Sequence, residues 1–418
     1  MTSIASDSDL LARRSVLGPA YRLFYDTPLH LVRGEDVWLF DAAGRRYLDA
    51  YNNVPVVGHA NPAVVQALAR QAGILNTHTR YLHDNVVTYA ERLAAMFPAA
   101  LDTVMLTCTG SEANDLVLRI TREATGRRGM IVTRNAYHGV TLALAEMSPS
   151  LLPPSDYVRL VDAPSGPQGA AAFAEAVDAA ARDLAAAGTP VAALLVDTVF
   201  ASDGVHTEAR DALAAGARAV RAHGGLFIAD EVQGGFGRTG SWWAFQRDDL
   251  VPDMVSLGKP MGNGHPIAGL VAQGDLLTKF GQRCRYFNTF GGNSVSAAVG
   301  MAVLDELQRI DAPAHAARVG EALQQGLLAL ARRHAVIGEV RGAGLYWGVE
   351  MKHAPQAAAV VNGMRRDGVL ISASGAQGQA LKIRPPLTFQ LQHVDTLVSA
   401  LDRACQALQD NPSSASQD

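Results

Sequence analysis

Cysteine is nearly missing from this chain: Cys108, Cys284 and Cys405 are the only three in 418 residues, and no two form a Cys-x-x-Cys pair. Their scarcity and wide spacing exclude a disulfide frame and a zinc site. No apolar run is long enough to span a bilayer. Neither sign of charge accumulates, since 36 Lys and Arg stand against 40 Asp and Glu and the formal net charge is −4. A nucleic-acid footprint needs clustered positive charge, which these scattered basic residues do not supply. Met1 to Asp9 is polar and acidic without an apolar centre, so the sequence predicts no secretory leader. Internal repeats and long linkers are missing as well. These absences leave the profile of a soluble, cytoplasmic metabolic protein with neither nucleic acid nor membrane among its partners.

What the chain does have is apolar residues, 48% against 18% charged, enough for a large core and more than one compact unit. Residues Asp36–Asp41 and Arg46–Asp49, joined by Ala42-Ala43-Gly44, read as a hairpin. Pro62 opens a helix whose apolar face is Val64, Val65, Leu68 and Ala69. Strands then alternate with helices: strands 103–107, 129–133, 191–196 and 226–229, helices 111–121, 170–187 and 207–222. Continuous apolar strands between helices predict an α/β fold with a mostly parallel sheet covered on both faces. Ligands on such sheets sit at the carboxyl ends of the strands. Beyond a helix at 293–307, strands and helices mix in the manner of a small α+β domain. The expected division is an N-terminal segment, 1–50, packing with the small domain; a large domain, 51–308; and the small domain, 309–418. The Ser-rich tail Asn411–Asp418 is expected to be disordered.

The chemistry concentrates after the strands. Asp230 closes the apolar run 226–230, and Lys259 closes the next one, 254–259. A carboxylate bonded to a pyridine nitrogen keeps it protonated, so the ring can draw electrons from a carbon attached through an imine. A lysine becomes the imine-forming nucleophile where burial or a cationic neighbour lowers its pKa. Lys259 and Asp230 therefore read as the catalytic pair, Lys259 carrying pyridoxal phosphate as a Schiff base and Asp230 gripping its ring nitrogen. Gly110 and Ser111 stand between a strand and a helix, where free N–H groups and the helix dipole favour a phosphate. The same stretch also fits an ordinary N-cap at Ser111. Tyr137 and Val232 suit the two faces of the ring, Gln233 its hydroxyl, and His138 reads as a structural histidine beside the cofactor. Thr289 offers a second phosphate donor, and the Arg384 fork suits a carboxylate or phosphate. Neither Gly234–Gly240 nor Gly258-Lys259-Pro260 has the spacing of a dinucleotide or Walker-type loop.

The collinear set Gly110-Ser111-Glu112, Tyr137-His138-Gly139, Asp230-Glu231-Val232-Gln233, Gly258-Lys259, Thr289-Phe290-Gly291-Gly292-Asn293 and Arg384-Pro385-Pro386-Leu387 resembles the class III pyridoxal-phosphate-dependent aminotransferases. The resemblance implies a fold type I homodimer with shared active sites, in which Thr289 reaches the phosphate of the neighbouring subunit's cofactor and Arg384 anchors a carboxylate. Within that family, Tyr51-Asn52-Asn53-Val54, the stretch Leu75–His83 containing Arg80, and Gly258–Pro266 look like the subgroup of ethanolamine-phosphate and phosphohydroxylysine phospho-lyases. One departure stands out. Many members carry Glu-Pro-x-Gln-Gly-Glu where this chain reads Asp197-Thr198-Val199-Phe200-Ala201-Ser202. Ser202 in place of the gating acid leaves Arg384 without its usual partner and the pocket more positive. Tyr51, Arg80, Ser202 and Arg384 are thus the expected substrate-side residues.

Two outcomes of one first step follow. In transamination, placed first, Lys259 takes the proton from the amine-bearing carbon and the amino group passes to a keto acid such as pyruvate by a ping-pong route. In the phospho-lyase alternative, a phosphate on the neighbouring carbon of a phosphoethanolamine-like amine leaves, giving aldehyde, ammonia and phosphate.

Overall fold

The structure, a computed structural model, describes residues 6–410; the tail from Asn411 lies outside the described residues. At its centre is a seven-stranded sheet of β4 (Thr103–Thr107), β5 (Gly129–Thr133), β6 (Val158–Val161), β7 (Val191–Asp197), β8 (Leu226–Asp230), β9 (Met254–Leu257) and β10 (Ala268–Ala272). Their order is β4-β10-β9-β8-β7-β5-β6. The run β9-β8-β7-β5-β6 is parallel, and β10 is antiparallel to both β9 and β4. Parallel strands are buried on both faces, and β7 shows it: every residue from Val191 to Val196 is buried. The expected mostly parallel sheet is there. β1 (Leu31–Glu35), β6 and β10 were not foreseen, and the Ala- and Gly-rich β10 carries few of the β-branched residues that mark a strand.

Two smaller sheets complete the molecule. β1, β2 (Trp38–Asp41) and β3 (Arg46–Asp49) form the predicted hairpin with one extra edge strand. β13 (Val369–Leu370) joins it in parallel through β3, so the early and late chain share a sheet. β11 (Ile337–Ala343), β12 (Tyr346–Met351), β14 (Ser372–Ser374) and β15 (Ala380–Ile383) form an antiparallel sheet in the order β11-β12-β15-β14. Just past β15, the Arg384 N–H donates to the Ala50 carbonyl at 2.8 Å, tying this sheet to the N-terminal hairpin.

Helix boundaries bring three corrections. The helix expected from Thr207 begins at Ala212, because Asp211 before it takes a left-handed φ of 63°. The helix Gly110–Thr125 is capped by Thr109 rather than Ser111. Thr109 is extended, its hydroxyl accepts the Glu112 N–H at 3.1 Å, and the Glu112 carboxylate accepts the Thr109 N–H at 2.8 Å, a reciprocal box that leaves Ser111 inside the first turn. On the helix Pro62–Ala72, Val64 is buried but Val65 is 53% exposed, so the predicted apolar stripe is only partly covered by this chain. Among the described residues no helix is long and apolar enough to cross a membrane.

Candidate active site

Sheet register brings the site together. Asp197 at the end of β7 pairs with Asp230 at the end of β8, which pairs in turn with Ser256 on β9, and Lys259 follows three residues later. One pocket at these carboxyl ends is lined by Gly110, Ser111, Asn114, Tyr137, His138, Gly139, Asp197, Asp230, Val232, Gln233 and Lys259.

Its floor is Asp230, a buried carboxylate surrounded by donors. Oδ2 accepts from Asn114 Nδ2 at 2.9 Å and lies 2.8 Å from His138 Nδ1, and Oδ1 accepts the Val232 N–H at 3.1 Å. Burial alone raises a carboxyl pKa, but His138, the Val232 N–H and Asn114 together outweigh it and hold Asp230 below the usual carboxylate range. Asn114 Nδ2 also donates to the His138 carbonyl at 2.9 Å, so the histidine is fixed at backbone and ring at once. His138 thus orients Asp230, in keeping with the structural role expected of it.

Lys259 stands opposite. Burial is the main reason its pKa falls, helped by the positive charge of Arg384 and opposed by Asp230 and Asp197. A lowered lysine pKa is what an imine-forming amine requires. The cradle above it depends on bare backbone. A Cβ on Gly110 would stand 3.1 Å from Val232 Cγ2, and one on Gly139, whose φ is 144°, would stand 2.7 Å from Ser111 Oγ. Ser111 Oγ accepts the Val140 N–H at 3.1 Å, which leaves its hydroxyl proton free to donate to a ligand. Donor-rich carboxylate, depressed lysine, flanking Tyr137 and Val232, and a glycine-lined helix start fit a phosphorylated pyridine aldehyde.

Behind Gln233, outside the residues that line the pocket, the surroundings are cationic. Arg384 is 8% exposed, and its Nη1 donates to Asn53 Oδ1 at 3.0 Å and Gln233 Oε1 at 2.8 Å. Its guanidinium carbon lies 4.9 Å from the centre of the Tyr51 ring, and its Nε is buried without a partner. Lys382 stands on β15, two residues before Arg384. It too is 8% exposed. Among the described residues no hydrogen bond or ion pair joins either cation to a carboxylate. Burial pushes the Lys382 pKa down to about 7, with Arg384 and Lys259 adding to the fall and Asp197 opposing it. Asp197 moves the other way, raised to about 6 by burial and by Asp230 although the Val199 and Ala201 N–H groups bond its oxygens.

Three expected residues lie elsewhere in this chain. Thr289 is exposed and does not line the pocket. Arg80 is exposed too, its guanidinium 3.7 Å over the Phe287 ring. Ser202 is half-buried; its carbonyl accepts the Gly375 N–H at 3.3 Å, while the Arg384 bonds go to Asn53 and Gln233. Four residues were missed. Asn53 gave no sequence signal beyond lying within the Tyr51–Val54 motif, Asn114 none beyond its place in the helix predicted at 111–121, and Asp197 was passed over for Ser202 in the same departure. Lys382 did leave a signal: the chain has only four lysines, 259, 279, 352 and 382, and two of them stand in this site.

Comparisons with known proteins agree with this geometry. The family model described as aminotransferase class-III matches residues 24–405. A phospholyase from Arthrobacter, solved in complex with phosphoethanolamine, superposes with a TM-score of 0.93 at 43% identity, covering 96% of this chain and 100% of that one. An ethanolamine-phosphate phospho-lyase homologue from Caenorhabditis elegans is 32% identical over 96% of this chain and 94% of its own. An alanine–glyoxylate aminotransferase 2-like protein from Drosophila melanogaster is 36% identical over 92% of this chain and 84% of its own. With the Lys259 and Asp230 pocket at the carboxyl ends of a mostly parallel sheet, the chain belongs to the class III aminotransferase family and is a pyridoxal-phosphate-dependent enzyme of fold type I.

Proposed function

We propose that this enzyme is a phospho-lyase, removing phosphate from a short phosphorylated amino alcohol such as phosphoethanolamine. The observation that carries the reading is the cationic wall: Lys382 and Arg384, both buried, carry no carboxylate partner among the described residues. A buried unpaired charge is costly, which is why Lys382 loses its proton near pH 7, and an anion arriving with the substrate would favour its charged form beside Arg384. The likeness to the Arthrobacter phospholyase supports the same reading.

The bound cofactor supplies an electron sink for the carbon bearing the amine. The chain's own groups do the rest. Gly110 and Ser111 would hold the cofactor phosphate, Tyr137 and Val232 would flank the ring, and Gln233, whose Oε1 is engaged by Asn53 and Arg384, has its amide N–H groups left for the ring hydroxyl. Asp230, held ionised by its donors, would keep a proton on the ring nitrogen. Lys259, whose pKa is lowered by burial and by Arg384, would remove the proton from the amine-bearing carbon. Lys382 and Arg384 hold the phosphate as its carbon–oxygen bond breaks and the electron pair leaves with oxygen. With one water taken up, the products are acetaldehyde, ammonia and phosphate.

A second copy of this chain fits the same account. Exposed Thr289 and Arg80, both off their own pocket, would serve a partner's cofactor and substrate, and the exposure of Leu82 (100%) and Phe290 (71%) beside them supports that reading. The shared sheet of β3 and β13 supports grouping residues 1–50 with a small domain at 309–418, around a large domain at 51–308.

Transamination to a keto acid such as pyruvate is the second reading, favoured by the aminotransferase-named relatives and by the same Lys259 chemistry. Purified enzyme given phosphoethanolamine without keto acid should release phosphate through many turnovers. Formation of aminated cofactor with no phosphate, and turnover only after pyruvate is added, would instead establish transamination.

A further inference from the structure

Between Val16 and Leu31 the chain forms no helix or strand, and it reaches Tyr51 beside Arg384. The Phe24 ring stacks on Tyr51, centroids 5.3 Å apart and planes 23° apart. Tyr51 in turn lies against the Arg384 guanidinium at 4.9 Å. The strap is pinned immediately after that contact. Tyr25 OH donates to the Ile371 carbonyl at 3.2 Å, the Asp26 N–H donates to Asn362 Oδ1 at 3.1 Å, and the Phe24 and Tyr25 rings meet edge to face at 4.9 Å. Phe24 itself remains 52% exposed, so its place is set by the strap and by Tyr51 rather than by burial in the core.

We propose that Phe24 is a specificity-determining residue, which holds Tyr51 over Arg384 and keeps water from the anion subsite so that short anionic amines are preferred. This rests on the reading that Arg384 and Lys382 hold the substrate's anion. An attraction between charges strengthens as the local dielectric falls and weakens where solvent ions enter. An aromatic ring closing the outer side of Tyr51 acts on both. It affects an anionic tail strongly and an uncharged one little. The Arg384 bonds run to Asn53 and Gln233 and the Phe24 stacking to Tyr51, so the residue works through Tyr51 and not on the cation directly.

The test compares the holoenzyme with Phe24→Ala and Phe24→Tyr, measuring KM for phosphoethanolamine at low and at ~0.15 M salt, and the Ki of n-butylamine as a competitor with an uncharged tail. Phe24→Ala is expected to raise the phosphoethanolamine KM about tenfold, a change of ~1.4 kcal/mol, and to make it rise further with salt. The n-butylamine Ki should move much less, and Phe24→Tyr should restore both values. Equal shifts for the two amines, an unchanged KM, or a fall in kcat alone would overturn the proposal. Lys382→Met serves as the reference. If it leaves the phosphoethanolamine KM unchanged, the anion-subsite reading fails and this inference with it. If it raises KM while Phe24→Ala does not, only the role of Phe24 fails.

Discussion

The two sides of the pocket are built on opposite principles. On the cofactor side, Asp230 is a buried anion with more donors than it needs: Asn114, His138 and the Val232 N–H all converge on it. On the substrate side, buried Arg384 is offered only the amide oxygens of Asn53 and Gln233, and buried Lys382, its pKa pushed down to about 7, has no carboxylate partner among the described residues. A satisfied charge keeps its ionisation state and its position before any ligand arrives. An unsatisfied one takes its counter-charge from the ligand, which makes affinity depend on what the ligand carries. Under the proposed function, the first side would fix the shared early chemistry and the second would select the substrate.

Substitutions can break this division. The largest effect is expected at Lys259→Ala, with loss of turnover by ~10³-fold or more, since the proton-transferring group is removed, and loss of the covalent cofactor absorbance band. Asp230→Asn should lower kcat by roughly 10²–10³-fold for every amine alike, measured by single-turnover kinetics, because it removes one preorganised charge from the common step. Lys382→Met or Arg384→Met should spare the absorbance band. Each should raise KM for phosphoethanolamine by roughly 10–100-fold, the size of a lost bond to a charged group.

Acidity gives the smallest and sharpest contrast. Lys382 titrates at about 7 in the fold but near its ordinary 10.5 when unfolded. Between those values the unfolded chain binds more protons, so this residue makes the protein more stable as pH rises from 7 toward 10.5. Thermal unfolding of the apo-protein across that window should show the rise, and Lys382→Met should flatten it. Over the same rise through pH 7, the affinity for an anionic substrate should fall as the ammonium loses its proton.

The same division explains what the sequence could reveal. Asp230, Lys259, Gly110 and Tyr137 each follow a strand or open a helix, so local pattern placed them at one end of the sheet before any contact was known. The substrate wall is assembled over long separations. Gln233, Asn53 and Arg384 meet from positions 151 to 331 residues apart, and no local pattern predicts that Gln233 turns its oxygen to an arginine. Lys382 was overlooked beside Arg384 because a lysine in a short strand reads as a solvated residue until burial is seen. Ser202 drew notice as a missing acid, but the amide oxygens that meet Arg384 come from Asn53 and Gln233, on other segments. The cap at Thr109 and the helix start at Ala212 turned on single backbone angles, which composition does not encode.

The most direct test of the cationic wall is calorimetric titration of inorganic phosphate into the holoenzyme, whose cofactor already fills the phosphate cradle at Gly110 and Ser111. One phosphate should bind per site in the wild type, more weakly as pH rises through 7, and binding should be lost in the Lys382→Met, Arg384→Met double variant. Equal phosphate affinity in the wild type and the double variant would contradict the assignment of that wall to the substrate's anion.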